Sequence, residues 1–86
     1  MTKLHKAAGM GDNEAVEWLL NNGYPVDIKD SFDWTPLHYA AWWGRASTCK
    51  LLIEYGAGEL RSALIVAVNE GNKKAANLLR KHGAKE

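Results

Sequence analysis

Apolar residues come along this chain in short bursts, each closed by a glycine. Leu4, Ala7 and Ala8 run up to Gly11, and Ala15, Val16, Leu19 and Leu20 run up to Gly23. Leu37, Ala40 and Ala41 then lead to Gly44, and Cys49, Leu51, Leu52 and Ile53 lead to Gly56. Leu64 and Ala67 before Gly71, and Ala75, Ala76, Leu78 and Leu79 before Gly83, complete the series. Spacings of three and four residues put these side chains on one face of a helix, so the pattern predicts six short helices in three pairs. Start signals agree. Thr35 stands before Pro36, the arrangement of a capping hydroxyl and a proline in the first helical turn, and Thr2 and Ser62 hold the same place in the other pairs. Asp12 and Asn72 are natural caps for second helices, and Arg45 is a poorer one.

The pairs are copies of one unit. Thr2-Lys3-Leu4-His5-Lys6-Ala7-Ala8 aligns with Thr35-Pro36-Leu37-His38-Tyr39-Ala40-Ala41 at a separation of 33 positions, which Gly11 and Gly44 and then Gly23 and Gly56 repeat. The third copy follows at 27 positions, Gly44 to Gly71 and Gly56 to Gly83. The shortening falls between Ala57 and Ser62, so Gly58-Glu59-Leu60-Arg61 is expected to make a tight turn. Units of approximately 1–34, 35–61 and 62–86 then form a single domain over 1–86. A lone helix pair cannot bury both faces, whereas three in a row share a continuous core.

Thr35-Pro36-Leu37-His38-Tyr39-Ala40-Ala41, Gly44, and Leu51-Leu52-Ile53-Glu54-Tyr55-Gly56-Ala57 resemble the ankyrin repeat, whose period is also 33 residues. The resemblance covers the whole chain, strongest in the second copy and weakest in the third. It implies an all-α repeat fold, an ankyrin-type stack of three helix-turn-helix units, with one β-hairpin finger over Val26–Trp34. Asp33 stands where the family usually has glycine, and Tyr24-Pro25 where it has Ala-Asp. The resemblance also implies that His5 and His38 are structural and that the protein binds another protein. Binding would use the finger tip and the exposed face of each first helix.

Carried onto this sequence, those places hold Ser31, Phe32 and Trp34, with Lys29 at the finger base, and Trp42 and Trp43 after Ala40-Ala41. Met10 is the first unit's equivalent of Trp43 and borders the same region. With Tyr39, five of the eight aromatic residues lie within positions 32–43. The core of the middle unit is already supplied by Leu37, Ala40, Ala41, Leu51 and Leu52, so these rings are expected on the surface, where a large apolar patch marks an interaction site. The same patch could instead meet a second copy, giving a weak homodimer in place of a monomer. Aromatics concentrated on the variable positions of a small scaffold also resemble an engineered binder. Trp18 and Tyr55 fall on second helices and are expected to pack on the back.

Composition narrows the function further. Hydrophobic residues make up 47% and charged residues 24%, ordinary globular values. Eleven basic against ten acidic residues give a net charge of +1, without the basic excess of a nucleic-acid binder. Cys49 stands alone, so no internal disulfide forms. With no signal peptide and no apolar run near the ~20 residues of a membrane span, a cytoplasmic protein is expected. No Cys/His cluster has zinc spacing. Asp27, Asp30 and Asp33 lack the glycine and closing glutamate of a calcium loop. No nucleophile, base and metal set assembles, so no cofactor and no enzymatic activity are expected.

Overall fold

A computed structural model describes all 86 residues as six helices. They are α1 (Lys3–Met10), α2 (Asn13–Asn21), α3 (Pro36–Trp42), α4 (Ala46–Glu54), α5 (Leu60–Asn69) and α6 (Lys73–Lys81). First helices α1, α3 and α5 pack in one row, second helices α2, α4 and α6 in another, giving a body of 31 × 24 × 19 Å. One residue type recurs in depth through the stack. Leu4, Leu37 and Leu64 in the first row, and Val16, Cys49, Leu52, Ala76 and Leu79 in the second, form one continuous apolar core with the small Ala8, Ala41 and Ala67 between them. Alanine there lets neighbouring helices approach closely. No helix is long and apolar enough to cross a membrane.

The helix signals have visible counterparts. The Thr2 hydroxyl accepts from His5 N–H at 3.3 Å, and Asp12 Oδ1 accepts from Ala15 N–H at 3.2 Å. Gly44 lies at φ +72°, a conformation side chains resist. A Cβ there would also sit 3.0 Å from Cγ and Oδ1 of Asn72. That Asn72 amide donates to the carbonyls of Ala41 and Trp42, 2.9 and 2.8 Å away, fastening the end of α3 to the third unit. Gly44→Ala is therefore expected to cost about 1–2 kcal/mol from the left-handed backbone alone, seen as a lower urea midpoint at unchanged slope.

Three expectations need correcting. The segment between α2 and α3 is a turn-rich loop with no strand, and the β-hairpin finger is absent. Asp30 N–H donates to Trp34 O at 3.0 Å as in a hairpin, but the Asp30 carboxylate takes Phe32 N–H at 2.9 Å and Trp34 N–H at 3.1 Å. A side chain thus consumes the donors a ladder needs, and the shortened third unit offers no neighbouring finger to pair with. Next, α5 begins at Leu60, so the second half of the stretch read as a tight turn is helix and Ser62 lies inside it. The turn shrinks to Gly58 and Glu59, with Glu59 held at φ 56°. Asn72 makes no cap bond; its amide nitrogen donates instead to the second unit, at the Ala41 and Trp42 carbonyls.

The two motif histidines tie units together. His5 Nε2 lies 2.7 Å from Trp34 O, and since a carbonyl only accepts, Nε2 carries the proton while Nδ1 accepts Thr2 N–H at 3.1 Å. His38 repeats the arrangement one unit on. Its Nδ1 accepts Thr35 N–H at 2.9 Å and its Nε2 donates to Ser62 Oγ at 2.7 Å, whose hydroxyl donates to Glu59 O at 3.1 Å. A second proton would turn Nδ1 into a donor facing a donor. Burial pushes the His38 pKa below its ordinary 6.5, with Lys29 adding to the fall and Glu59, Asp27 and Asp30 opposing it. The unfolded chain therefore takes up this proton first. The neutral side chain's contribution is complete above about pH 6.5 and is lost as pH falls through the lower folded value. Urea midpoints should drop as pH falls below about 6.5, and His38→Gln should flatten that fall.

Candidate functional site

The site grows from the loop and α3. Asp30 folds the loop back with its two backbone bonds and accepts the Tyr39 hydroxyl on its other oxygen. Partial burial raises the Asp30 pKa, but the bonds from Tyr39, Trp34 and Phe32 together outweigh it and hold the carboxyl below its ordinary 3.8. The bond to Asp30 is also the main reason the Tyr39 phenol is pushed up to about 12. His5 meanwhile holds the Trp34 carbonyl. The loop is thus pinned from both α1 and α3, and Trp34 is set against the start of α3.

Around Trp34 the other rings gather. Its ring centroid lies 5.3 Å from His38, 5.1 Å from Tyr39 and 5.6 Å from Trp42, the last two in edge-to-face geometry. Such pairs each add ~0.5–1.5 kcal/mol beyond burial. Trp43 lies across Gly9 of α1, where an added Cβ would come within 3.1 Å of the indole. Glycine at this point is what lets the indole rest on the first unit. Met1, Phe32, Trp34, Tyr39, Trp42 and Trp43 line one open hollow of about 650 Å³. Phe32 is 77% exposed, Trp43 59% and Trp42 41%, whereas Trp34 and Tyr39 are half-buried and form the floor.

The sequence-based site residues therefore divide. Phe32, Trp34, Tyr39, Trp42 and Trp43 converge on the hollow. Lys29 does not line it; its ammonium lies 3.8 Å from Asp33 and 3.4 Å from Glu59. Ser31 is exposed on the turn, outside the hollow. Met10 borders an adjoining depression with Met1, Tyr39, Trp43, Lys6 and Arg45. Met1 joins the hollow without having been anticipated, since no repeat position marks it. Of the two aromatics expected to pack on the back, Tyr55 is 39% exposed and donates its hydroxyl to Asn21 Oδ1 at 3.0 Å, whereas Trp18 is 63% exposed beside Met10 and Leu19. The buried Cys49 thiol is pushed up to about 12 by its apolar surroundings, which removes it as a nucleophile near neutral pH.

A stack of paired helices in two rows, with a pinned loop between its first and second units, defines a helical-repeat scaffold. The family of ankyrin repeats (3 copies) matches residues 4–86, and the chain belongs to the ankyrin-repeat family. Ankyrin repeats generally serve as protein–protein interaction modules. An ankyrin repeat protein of Rickettsia bellii (strain RML369-C) is 38% identical over 89 aligned residues, covering 99% of this chain and 35% of that protein. Protein phosphatase 1 regulatory subunit 12A of Mus musculus is 47% identical over 53 residues, 62% of this chain and 5% of that protein. Among solved structures, the human ASB11 ankyrin repeat domain superimposes with a TM-score of 0.90 at 28% identity, over 99% of this chain and 41% of that one. The chain thus spans less than half the length of each of these relatives.

Proposed function

We propose that this protein binds a partner protein through the aromatic hollow of its middle unit, with Trp42 and Trp43 as anchors, Phe32 as an adaptable rim and Trp34 and Tyr39 as the floor. The observation that carries this is the gathering of five aromatic rings on one open hollow while the buried core is complete without the exposed ones. Phe32, Trp43 and Trp42, still 77%, 59% and 41% exposed, would supply a large share of the ~800 Å² per partner that a standard interface needs, with the half-buried Trp34 and Tyr39 adding less. Tryptophan and tyrosine are also the residues enriched at binding hot spots. Lys29 and Ser31 would act at the edge, and Met10 as a flexible neighbour. A reducing, cytoplasmic setting accords with the free thiol of Cys49.

The exposed indoles leave a second reading, in which the occupant is another copy of the chain and the protein is a homodimer through the same patch. Sedimentation velocity over a wide concentration range separates the two. A monomer throughout supports partner binding. A dimer that Trp43→Glu dissociates would transfer the hollow to self-assembly.

A further inference from the structure

Resting on that reading, we infer that the hollow takes a proline-rich segment in the polyproline II conformation, with acidic residues flanking it on the Trp43 side. Three observations carry this. The first is what the lining lacks. The six lining side chains are all uncharged, and the charges nearest the loop are already engaged: Asp30 with Tyr39 and two backbone N–H groups, Lys29 with Asp33 and Glu59. A cationic ligand would find no free carboxylate in the lining.

The second is which polar groups remain. The Tyr39 hydroxyl is spent on Asp30, whereas the indole N–H groups of Trp34, Trp42 and Trp43 make no hydrogen bond within the chain. Trp34 is half-buried, yet its N–H is not a buried orphan, so it reaches solvent. The hollow therefore offers donors and asks for acceptors. A polyproline II segment has no internal hydrogen bonds, so its carbonyls are free, and its prolines bring no N–H that would need an acceptor. Its rings fit flat aromatic walls, and its preformed shape costs little ordering entropy, which matters on a surface this small and open.

The third is charge at one rim. Beyond Trp43 the surface continues into the depression carrying Lys6 and Arg45, neither of which is in an ion pair. The end of the segment that leaves over Trp43 meets uncompensated positive charge, which acidic residues would complement.

Tryptophan emission tests this with three synthetic peptides: octaproline flanked at both ends by aspartate pairs, octaproline flanked by lysine pairs, and an amphipathic leucine-alanine helix. The aspartate-flanked peptide is expected to shift the emission and bind more tightly than the lysine-flanked one, with a difference that shrinks with salt and in Lys6→Gln. Trp34→Phe keeps a ring on the floor and removes the N–H, and should weaken the proline peptide about fivefold to tenfold while the thermal midpoint shows the fold retained. If the helix binds and neither proline peptide does, this inference falls while the hollow remains the binding surface. If the two proline peptides bind equally and Trp34→Phe changes nothing, the donor and charge arguments are refuted. If no peptide binds and a selected partner protein also leaves the emission unchanged, the hollow itself is wrongly assigned.

Discussion

Shortening Leu52 to alanine lowers the free energy of unfolding by about 3–4 kcal/mol, within the ~2–5 kcal/mol seen for buried leucines. Leu52 is fully buried in the last turn of α4, the one second helix with a neighbour on either side. Because α4 packs against α2, α3 and α6, a cavity on its buried face opens inside the stack and not at its edge. Total stability for a chain of this size is ~4–13 kcal/mol, so the change removes a large share of it. Since 1 kcal/mol moves the midpoint of a small domain by ~4–8 °C, the melting temperature should fall by about 12–30 °C. Calorimetry or circular dichroism reads this directly. A fall of only a few degrees would mean that the stack does not unfold as one unit.

The second large effect is of the opposite kind. Replacing Trp42 and Trp43 together by alanine should weaken partner binding by about 2 kcal/mol or more, roughly thirtyfold, and leave folding nearly untouched. The asymmetry follows from where the rings sit. Trp43 is mostly exposed and lies across Gly9, so its removal uncovers little that was dry. Trp42 keeps one edge-to-face contact, to Trp34, which bounds its loss to stability at ~0.5–1.5 kcal/mol plus some area. Isothermal titration against a selected partner, alongside melting curves of both proteins, measures the two quantities separately. Were the double variant to unfold while binding normally per folded molecule, the rings would belong to the core.

These two outcomes show why the fold could be read from the chain more fully than the site. Helices, caps and glycine stops repeat at a fixed period, and each copy checks the others: Leu4, Leu37 and Leu64 are buried because the same register recurs. The loop has no second copy to check it. Its form turns on the Asp30 carboxylate taking the N–H groups of Phe32 and Trp34, a choice invisible in the pattern of apolar residues. The start of α5 was obscured for a related reason. Ser62 looks like a cap by alignment, yet its hydroxyl bridges His38 and Glu59 from inside the helix. At the site, position within the repeat marked Trp42 and Trp43 as outward-facing, but could not tell that Trp34 would lie as floor against His38, or that Met1 would close one side. Trp18 lies exposed on α2 beside Met10 and Leu19, away from the hollow, which its place in the repeat does not reveal.

That exposed Trp18 supplies an internal control for the central claim, that the middle unit's hollow is the binding surface. The chain has four tryptophans, hence four indole N–H signals in a ¹⁵N-labelled sample. On titration with a partner protein selected from a displayed library, the signals of Trp34, Trp42 and Trp43 should shift together and saturate with one affinity while Trp18 stays in place. Saturating shifts at Trp18 with the other three unmoved would contradict the account.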